Sequence, residues 1–159
     1  IAMINGLGPV LEVGAGSGYL ARLLANGGGD VIANDAAARD SGNYGFAHAQ
    51  WFLSMTRRPE IEAVAEAAGR TVLMSWPTQP FRLIPGQGEA GEDWALGCLE
   101  AMTSGQRLVM IGEDEGGCCA GPAFFAYLRV NFVVERMPAL YSLSGDPLQQ
   151  EVVLTARRR

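Results

Sequence analysis

The chain has 159 residues, and 12 basic residues against 17 acidic ones give it a formal net charge of −5. The length and the 48% hydrophobic content predict one folded domain, residues 1–159, with a single core, and argue against a disordered chain. Nucleic acids and anionic membranes attract cationic surfaces, so the acidic balance argues against both as partners.

Short apolar runs alternate with helical patterns along the first half of the chain. The first strand is predicted at Val10–Val13 and is followed by a glycine turn and a helix over residues 19–25. A second strand is predicted over residues 30–34. After a loop, Pro59 is expected to open a helix that ends at Gly69.

The second half continues the same alternation. Predicted here are a strand over 71–76 stopped by Pro77, a loop to 91, a helix over 92–104, a strand over 107–111, an acidic loop over 112–121, a helix from 122, and strands over 132–135 and 151–156 separated by a turn at 144–147. This order predicts an α/β fold, a mostly parallel doubly wound sheet with a C-terminal antiparallel hairpin at one edge. Ligands of such sheets bind beyond the carboxyl ends of the strands.

The cysteines suggest a cytoplasmic protein. Cys98, Cys118 and Cys119 are an odd number that includes an adjacent pair, so we expect reduced thiols. His48 is the only histidine, and the cysteines lack the spacing of zinc ligands, so no metal site is predicted. The sequence contains neither an apolar run of about 18 residues nor a signal peptide. Because it begins with Ile1, we expect an upstream part to be missing.

Glycine is over-represented, at 21 of 159 residues, or nearly twice the usual share of roughly 7%. Gly14, Gly16 and Gly18 alternate directly after the first strand, where they allow a sharp turn and a close approach of a ligand to backbone N–H groups. A dinucleotide-binding loop is disfavoured because Tyr19 stands where its third glycine would be. A phosphate-binding loop is excluded because the chain has no lysine.

This segment resembles the first motif of the class I S-adenosylmethionine-dependent methyltransferases, in which apolar residues and an acidic residue precede Gly-x-Gly-x-Gly. The acidic residue corresponds to Glu12, and the family's second acidic residue, which binds the cofactor ribose, corresponds to Asp35. The resemblance implies a Rossmann-like methyltransferase fold with S-adenosylmethionine as cofactor. The cofactor contacts that it implies are Glu12, Gly14, Gly16, Gly18, Tyr19 and Asp35. The alternative interpretations are a plain glycine turn with a capping aspartate, and a Tyr19 that only packs against the loop.

The end of the third predicted strand carries Ser75, Trp76 and Pro77, where this family has its fourth motif. Trp76 stands where amino-group methyltransferases acting on adenine have the first of two prolines. The segment is similar to an uncharacterised methyltransferase-like branch with Trp-Pro at this point and Gly-Glu-x-x-Gly-Gly-Cys after the next strand, which residues 112–118 match. The resemblance implies that these three residues bind substrate. Trp76 is expected either to stack on a planar substrate or the sulfonium, or to close the core.

Two side chains are candidates for a catalytic base. Glu113 begins the acidic run Glu113–Glu115, which is either solvated surface or an attraction for a cationic cofactor. His48, in the loop over residues 41–50, is the second candidate, with a structural hydrogen-bonding role as its alternative. The arginines Arg157–Arg159 are interpreted as a frayed end without a role.

Together these features predict S-adenosylmethionine-dependent methyl transfer to a small-molecule or protein substrate. The alternative is a non-catalytic methyltransferase-like binding or scaffold module that kept the fold. The loop spacing disfavours a third class, the nicotinamide and flavin enzymes. The sequence gives no prediction of the oligomeric state.

Overall fold

The computed structural model describes residues 1–36, 55–79, 93–117, 119–137 and 151–159. Its elements, in chain order, are α1 (Ala2–Asn5), β1 (Val10–Val13), α2 (Tyr19–Asn26), β2 (Val31–Asn34), α3 (Glu60–Glu66), β3 (Thr71–Ser75), α4 (Trp94–Ala101), β4 (Arg107–Glu113), α5 (Pro122–Asn131), β5 (Phe132–Arg136) and β6 (Glu151–Arg158). The predicted alternation of strands and helices is therefore present.

The strands form one sheet in the order β2-β1-β3-β4-β6-β5. The first four strands of that order are parallel, while β6 runs antiparallel to both β4 and β5. The prediction of a mostly parallel sheet with a C-terminal antiparallel pair is confirmed. The pair is not a simple addition at one edge, because β6 lies between β4 and β5.

Helices cover both faces of the sheet, which is why β1 is buried along its whole length. Leu11 and Val13 point into a core shared with α3, α4 and α5. Val10 points to the other face, where Leu24 of α2 packs. Because side chains alternate across a strand, Glu12 shares the face of Val10. The sheet therefore separates two apolar layers, and a carboxyl group lies in one of them.

One helix boundary differs from the prediction. Pro59 precedes α3 as expected, but the helix ends with Ala67 as its C-cap and does not extend to Gly69. The backbone N–H of Arg70 donates to the Ala67 carbonyl at 2.9 Å, so residues 67–70 form a turn that leads into β3. The tight connection from helix to strand ends the helix before the glycine is reached.

Two further boundaries are corrected by the pairing of β4 with β6. Gly112 and Glu113, predicted in a loop, belong to β4 because they pair with residues 152 and 151. The C-terminal arginines, predicted to be frayed, continue β6 as far as Arg158. The Arg158 guanidinium donates to the carbonyl of Leu99 at 2.6 Å, which ties this end to α4. Cross-strand partners distant in sequence therefore lengthen both elements.

Some predictions concern residues outside the described part of the chain. These are His48, Cys118, most of the predicted loop that ends at residue 91 and the turn at 144–147. In the described part, none of the helices has the length and apolar character to cross a membrane. The same part holds no group of three side chains suited to a metal ion.

Candidate functional site

The glycine loop after β1 has the backbone conformation that its sequence predicts. Gly14, Gly16 and Gly18 have φ values of +64°, +56° and +74°, in the left-handed region that L side chains avoid. A Cβ atom on Gly14 would lie 2.9 Å from Cη2 of Trp94, whereas a Cβ atom on Gly16 would meet nothing within 4 Å. Packing therefore requires glycine at position 14, while Gly16 faces open space.

Asp35 follows β2 directly and turns its carboxylate toward the glycine loop. Its Oδ2 atom accepts a hydrogen bond from the backbone N–H of Gly16 at 2.6 Å. The N–H of Ala15 donates to the Asn34 carbonyl at 3.1 Å, which holds the two strand ends side by side. The fold thus brings together the two parts of the predicted cofactor motif, although they lie 19 residues apart in the sequence.

Asn34 fixes the position of that strand end, a role that sequence reasoning missed. Its buried side-chain amide donates to the Arg58 carbonyl at 3.0 Å. Its carbonyl oxygen accepts from the Thr56 hydroxyl at 2.7 Å and from the Arg58 N–H at 3.1 Å. The segment after residue 54 is therefore attached to the outer edge of β2. A polar amide at the end of an apolar strand was the available signal.

Glu12 is a buried carboxyl group beside the loop. Only 2% of the residue is exposed, and its Oε2 atom has no hydrogen-bond partner in the described part of the chain. Burial raises the pKa of Glu12 to about 7; the hydrogen bond from the Ala21 N–H lowers it, and the negative charge of Asp35 raises it. Glu12 therefore exchanges its proton close to neutral pH.

Trp76 directly follows β3, at the same edge of the sheet as the glycine loop. Its φ is +52°, a left-handed conformation that costs a residue with a Cβ atom about 1–2 kcal/mol. Its backbone N–H donates to the Ile111 carbonyl at 2.7 Å, and 40% of the residue is exposed. Ser75 is half-buried and Pro77 is buried. The fold holds an exposed aromatic ring in a strained backbone, a combination common at functional sites.

The turn that contains Trp76 is fastened to the loop after β4. The Pro77 carbonyl accepts from the Ala120 N–H at 2.8 Å, and the side chain of Gln79 donates to the Gly117 carbonyl at 2.6 Å. Thr78 also pairs with Cys119 in an antiparallel bridge. These contacts join residues 76–79 to Gly117, Cys119 and Ala120 as one unit.

Trp94, the first residue of α4, connects this unit to the glycine loop. Its indole N–H donates to the Thr78 hydroxyl at 3.2 Å, and its ring lies against Gly14. The sequence pattern placed Trp94 only within the predicted helix over residues 92–104. No local signal indicates this second role, because its partners lie 16 and 80 residues away.

The acidic run after β4 separates into two environments. Glu113 is only 7% exposed and packs on Gly117, where a Cβ atom would lie 2.5 Å from the Glu113 side chain. Asp114 forms an ion pair with Arg136, and Glu115 forms one with Arg129. Two carboxylates of the run are therefore paired with arginines of β5 and α5, and the role of Glu113 as a base stays a prediction.

Of the remaining residues named in the sequence analysis, some lie in the described part of the chain and one lies outside it. Tyr19 is the first residue of α2 and is exposed, and Gly18 is the N-cap of that helix. Cys98 lies in the core, where burial raises the pKa of its thiol to about 12 and keeps it protonated. His48 lies outside the described residues, so the site consists here of strand ends and their first turns.

Comparison with known proteins supplies structural matches alone. No family model matches the sequence, and none of the curated proteins matches it. An S-adenosylmethionine-dependent methyltransferase from Anabaena variabilis is 10% identical, with a TM-score of 0.59 over 99% of this chain and 80% of that chain. The glycopeptide N-methyltransferase MtfA, complexed with S-adenosylmethionine, is 16% identical, with a TM-score of 0.53 over 96% and 87%. The S-adenosylmethionine-dependent methyltransferase SibL, in its apo form, is 16% identical, with a TM-score of 0.52 over 95% of this chain and 50% of that chain.

The chain has the Rossmann-like fold of these methyltransferases. In this fold the chain passes from β1 to β2 on one side and then crosses to β3 on the other side of β1. Open α/β sheets bind ligands at this reversal, beyond the carboxyl ends of the strands. The glycine loop follows β1 and the Trp76 turn follows β3, so they border the crevice of the methyltransferase fold.

Proposed function

We propose that this protein is an S-adenosylmethionine-dependent methyltransferase that binds its cofactor between the glycine loop and the Trp76 turn. The contact between Gly16 and Asp35 carries the proposal, because it joins a loop of open, left-handed backbone to a carboxylate at the reversal of the strand order. The fold shared with MtfA, which was solved with S-adenosylmethionine, supports it.

The side chains around the crevice suit an adenosine group without a phosphate. A carboxylate has about four acceptor positions, so Asp35 can hold the Gly16 N–H and also accept hydrogen bonds from the two hydroxyls of a ribose. The same charge would repel a ribose phosphate. The space above Gly16 allows a ligand to approach the backbone without meeting a Cβ atom.

The charges at this edge also suit a cationic cofactor. Asp35 and the deprotonated form of Glu12 place negative charge beside the loop. When bound, S-adenosylmethionine supplies an electrophilic methyl group on a positively charged sulfur for in-line transfer to a nucleophile. The exposed ring of Trp76 can orient a planar acceptor or face the sulfonium.

The protein contributes mainly by holding the acceptor in line with the methyl group, and positioning of this kind accounts for much of the acceleration of such reactions. A neutral nucleophile of the substrate loses a proton when it bonds to the methyl carbon. Glu113 and His48 are the proposed bases that take this proton. We propose a small molecule or a protein as substrate, in contact with Ser75, Trp76 and Pro77.

Calorimetric titration with S-adenosylmethionine and with its demethylated product tests the proposal. We expect one binding site for each ligand, and Asp35→Asn should weaken both affinities about tenfold or more, since a hydrogen bond to a charged group is lost. The matched control is Asp30→Asn, because Asp30 is an exposed aspartate at the other end of β2 that pairs with Arg70.

Two outcomes would contradict the proposal. A folded protein that binds neither ligand is not a methyltransferase. Equal affinities of Asp35→Asn and the wild type would show that Asp35 does not bind the cofactor ribose. Binding of both ligands without methyl transfer to any acceptor offered is the result expected of a non-catalytic module.

A further inference from the structure

A polar cleft lies at the amino edge of the sheet, opposite to the crevice described above. Its volume is about 380 Å³, and it is lined by residues 68–71 where the chain enters β3, residues 104–107 where it enters β4, and Arg157 of β6. Three lining residues, Arg70, Arg107 and Arg157, are arginines, and none is acidic. The five residues of β3, at roughly 3.3 Å each, put about 17 Å between this cleft and the Trp76 turn.

A buried glutamine holds the two turns of the cleft together. Gln106 is 6% exposed, and its side-chain amide donates to the carbonyls of Ala67 and Arg70, each at 3.0 Å. Its carbonyl oxygen accepts from the Thr103 N–H at 3.0 Å. The cleft is therefore a fixed part of the fold, because both of its turns are bonded to the same buried side chain.

The arginines of the cleft are placed against one another. Arg107 and Arg157 are direct partners in the antiparallel β4–β6 ladder, and both are exposed. Like charges directly opposite one another destabilise a sheet. Among the described residues neither arginine has a carboxylate within ion-pair distance, whereas Arg70 is paired with Asp30 at 3.0 Å. The cleft is positive, although the chain has a net charge of −5.

We propose that this cleft is a second binding site, for the phosphoryl or diphosphate group of a small anion. Guanidinium groups bind phosphate oxygens through two parallel hydrogen bonds, and Arg157 is oriented by the bond from its Nε to the Gly105 carbonyl at 3.3 Å. The exposed hydroxyl of Ser104 adds a neutral donor. A doubly charged oxyanion matches the Arg107–Arg157 pair better than a monoanion does.

Isothermal titration of the full chain with pyrophosphate and with inorganic phosphate, at constant ionic strength, tests this site. We expect one saturable site that prefers pyrophosphate. Arg107→Gln and Arg157→Gln should each weaken it about tenfold or more, as expected for the loss of a charged hydrogen-bond donor. The control is Arg22→Gln, an exposed arginine of α2 outside the cleft, which should leave the affinity unchanged.

Further titrations identify the source of the anion and distinguish a failure of this proposal from a failure of the proposed methyltransferase function. Tighter binding of a nucleoside diphosphate than of pyrophosphate indicates a phosphorylated small molecule, and equal binding indicates the free anion. The cleft variants should bind S-adenosylmethionine as the wild type does, so either proposal can fail alone. Absence of saturable binding, equal weakening by Arg22→Gln, or binding confined to polynucleotides would overturn the cleft proposal.

Discussion

The two edges of the sheet use charge in opposite ways. At the carboxyl edge a carboxylate, Asp35, is held by a backbone N–H of the glycine loop. At the amino edge two arginines, Arg107 and Arg157, are direct partners across the β4–β6 ladder. The net charge of −5 agrees in sign with the carboxyl edge and is opposite to the charge of the amino edge. Net charge therefore describes only the average surface, and a fold can bring the less abundant charge together at one place.

The edges also differ in backbone strain. In the described part of the chain two residues other than glycine, Trp76 and Ala120, have a positive φ, and both lie at the carboxyl edge. At the amino edge the corresponding turn uses Gly105, for which φ = +81° costs little. Strain is thus confined to the edge where we place methyl transfer.

The largest expected effect is the pH dependence that Glu12 gives to stability. Its pKa rises from 4.5 to about 7 on folding, so the folded state keeps a proton that the unfolded state releases. Stability should therefore fall by up to about 3 kcal/mol as the pH rises through this interval and stay level above it. Urea unfolding from pH 5 to pH 8 measures this loss, which Glu12→Gln should remove.

The control for Glu12 is Glu135→Gln, which replaces an exposed glutamate of β5. Its unfolding should follow the wild-type pH profile. The same fall in Glu12→Gln as in the wild type would show that another group carries the pH dependence.

Two substitutions in the glycine loop should differ in their effect on stability. Gly14→Ala combines a left-handed alanine with a contact of 2.9 Å to Trp94 and should cost about 2–3 kcal/mol. Gly16→Ala has the strain without the contact and should cost about 1 kcal/mol.

Urea midpoints measure this difference, and calorimetry with S-adenosylmethionine adds a second readout. Gly16→Ala should weaken binding although it unfolds almost normally, because its methyl group would project into the open space above the loop. Equal destabilisation by the two variants would contradict the packing of Trp94 on Gly14.

The smallest expected effect concerns the amino edge. Arg107→Gln removes one of two like charges that face each other across β4 and β6. It should raise the free energy of unfolding by a few tenths of a kcal/mol at low salt, and the gain should disappear near 1 M salt, where charges are screened. A loss of stability at low salt would mean that the two guanidinium groups do not repel each other.

The sequence was most informative where its signals are local. Apolar runs and a strand-to-helix glycine loop depend on neighbouring residues, so β1, α2 and the sharp glycine turn between them could be predicted. The family resemblance supplied Asp35. The contact of Trp94 with Gly14 could not be predicted, because it joins residues 80 positions apart through the packing of α4 on the loop.

Register explains the other omissions. Arg157 faces Arg107 because β6 is inserted beside β4 with one particular alignment, and the same alignment adds Gly112 and Glu113 to β4. A local pattern contains no information about the alignment of strands whose paired residues lie 38 to 50 positions apart. The positive cleft could not be predicted from the sequence, because its arginines come from three separate segments.

The insertion of β6 between β4 and β5 has a consequence for synthesis on the ribosome. In the described sheet β5 pairs with β6 and with no other strand, yet residues 132–136 emerge before residues 151–158. β5 therefore has no partner in the described sheet until β6 is available, and the two pairings of β6 then form together. Until that point the edge of β5 is open to pairing with other chains.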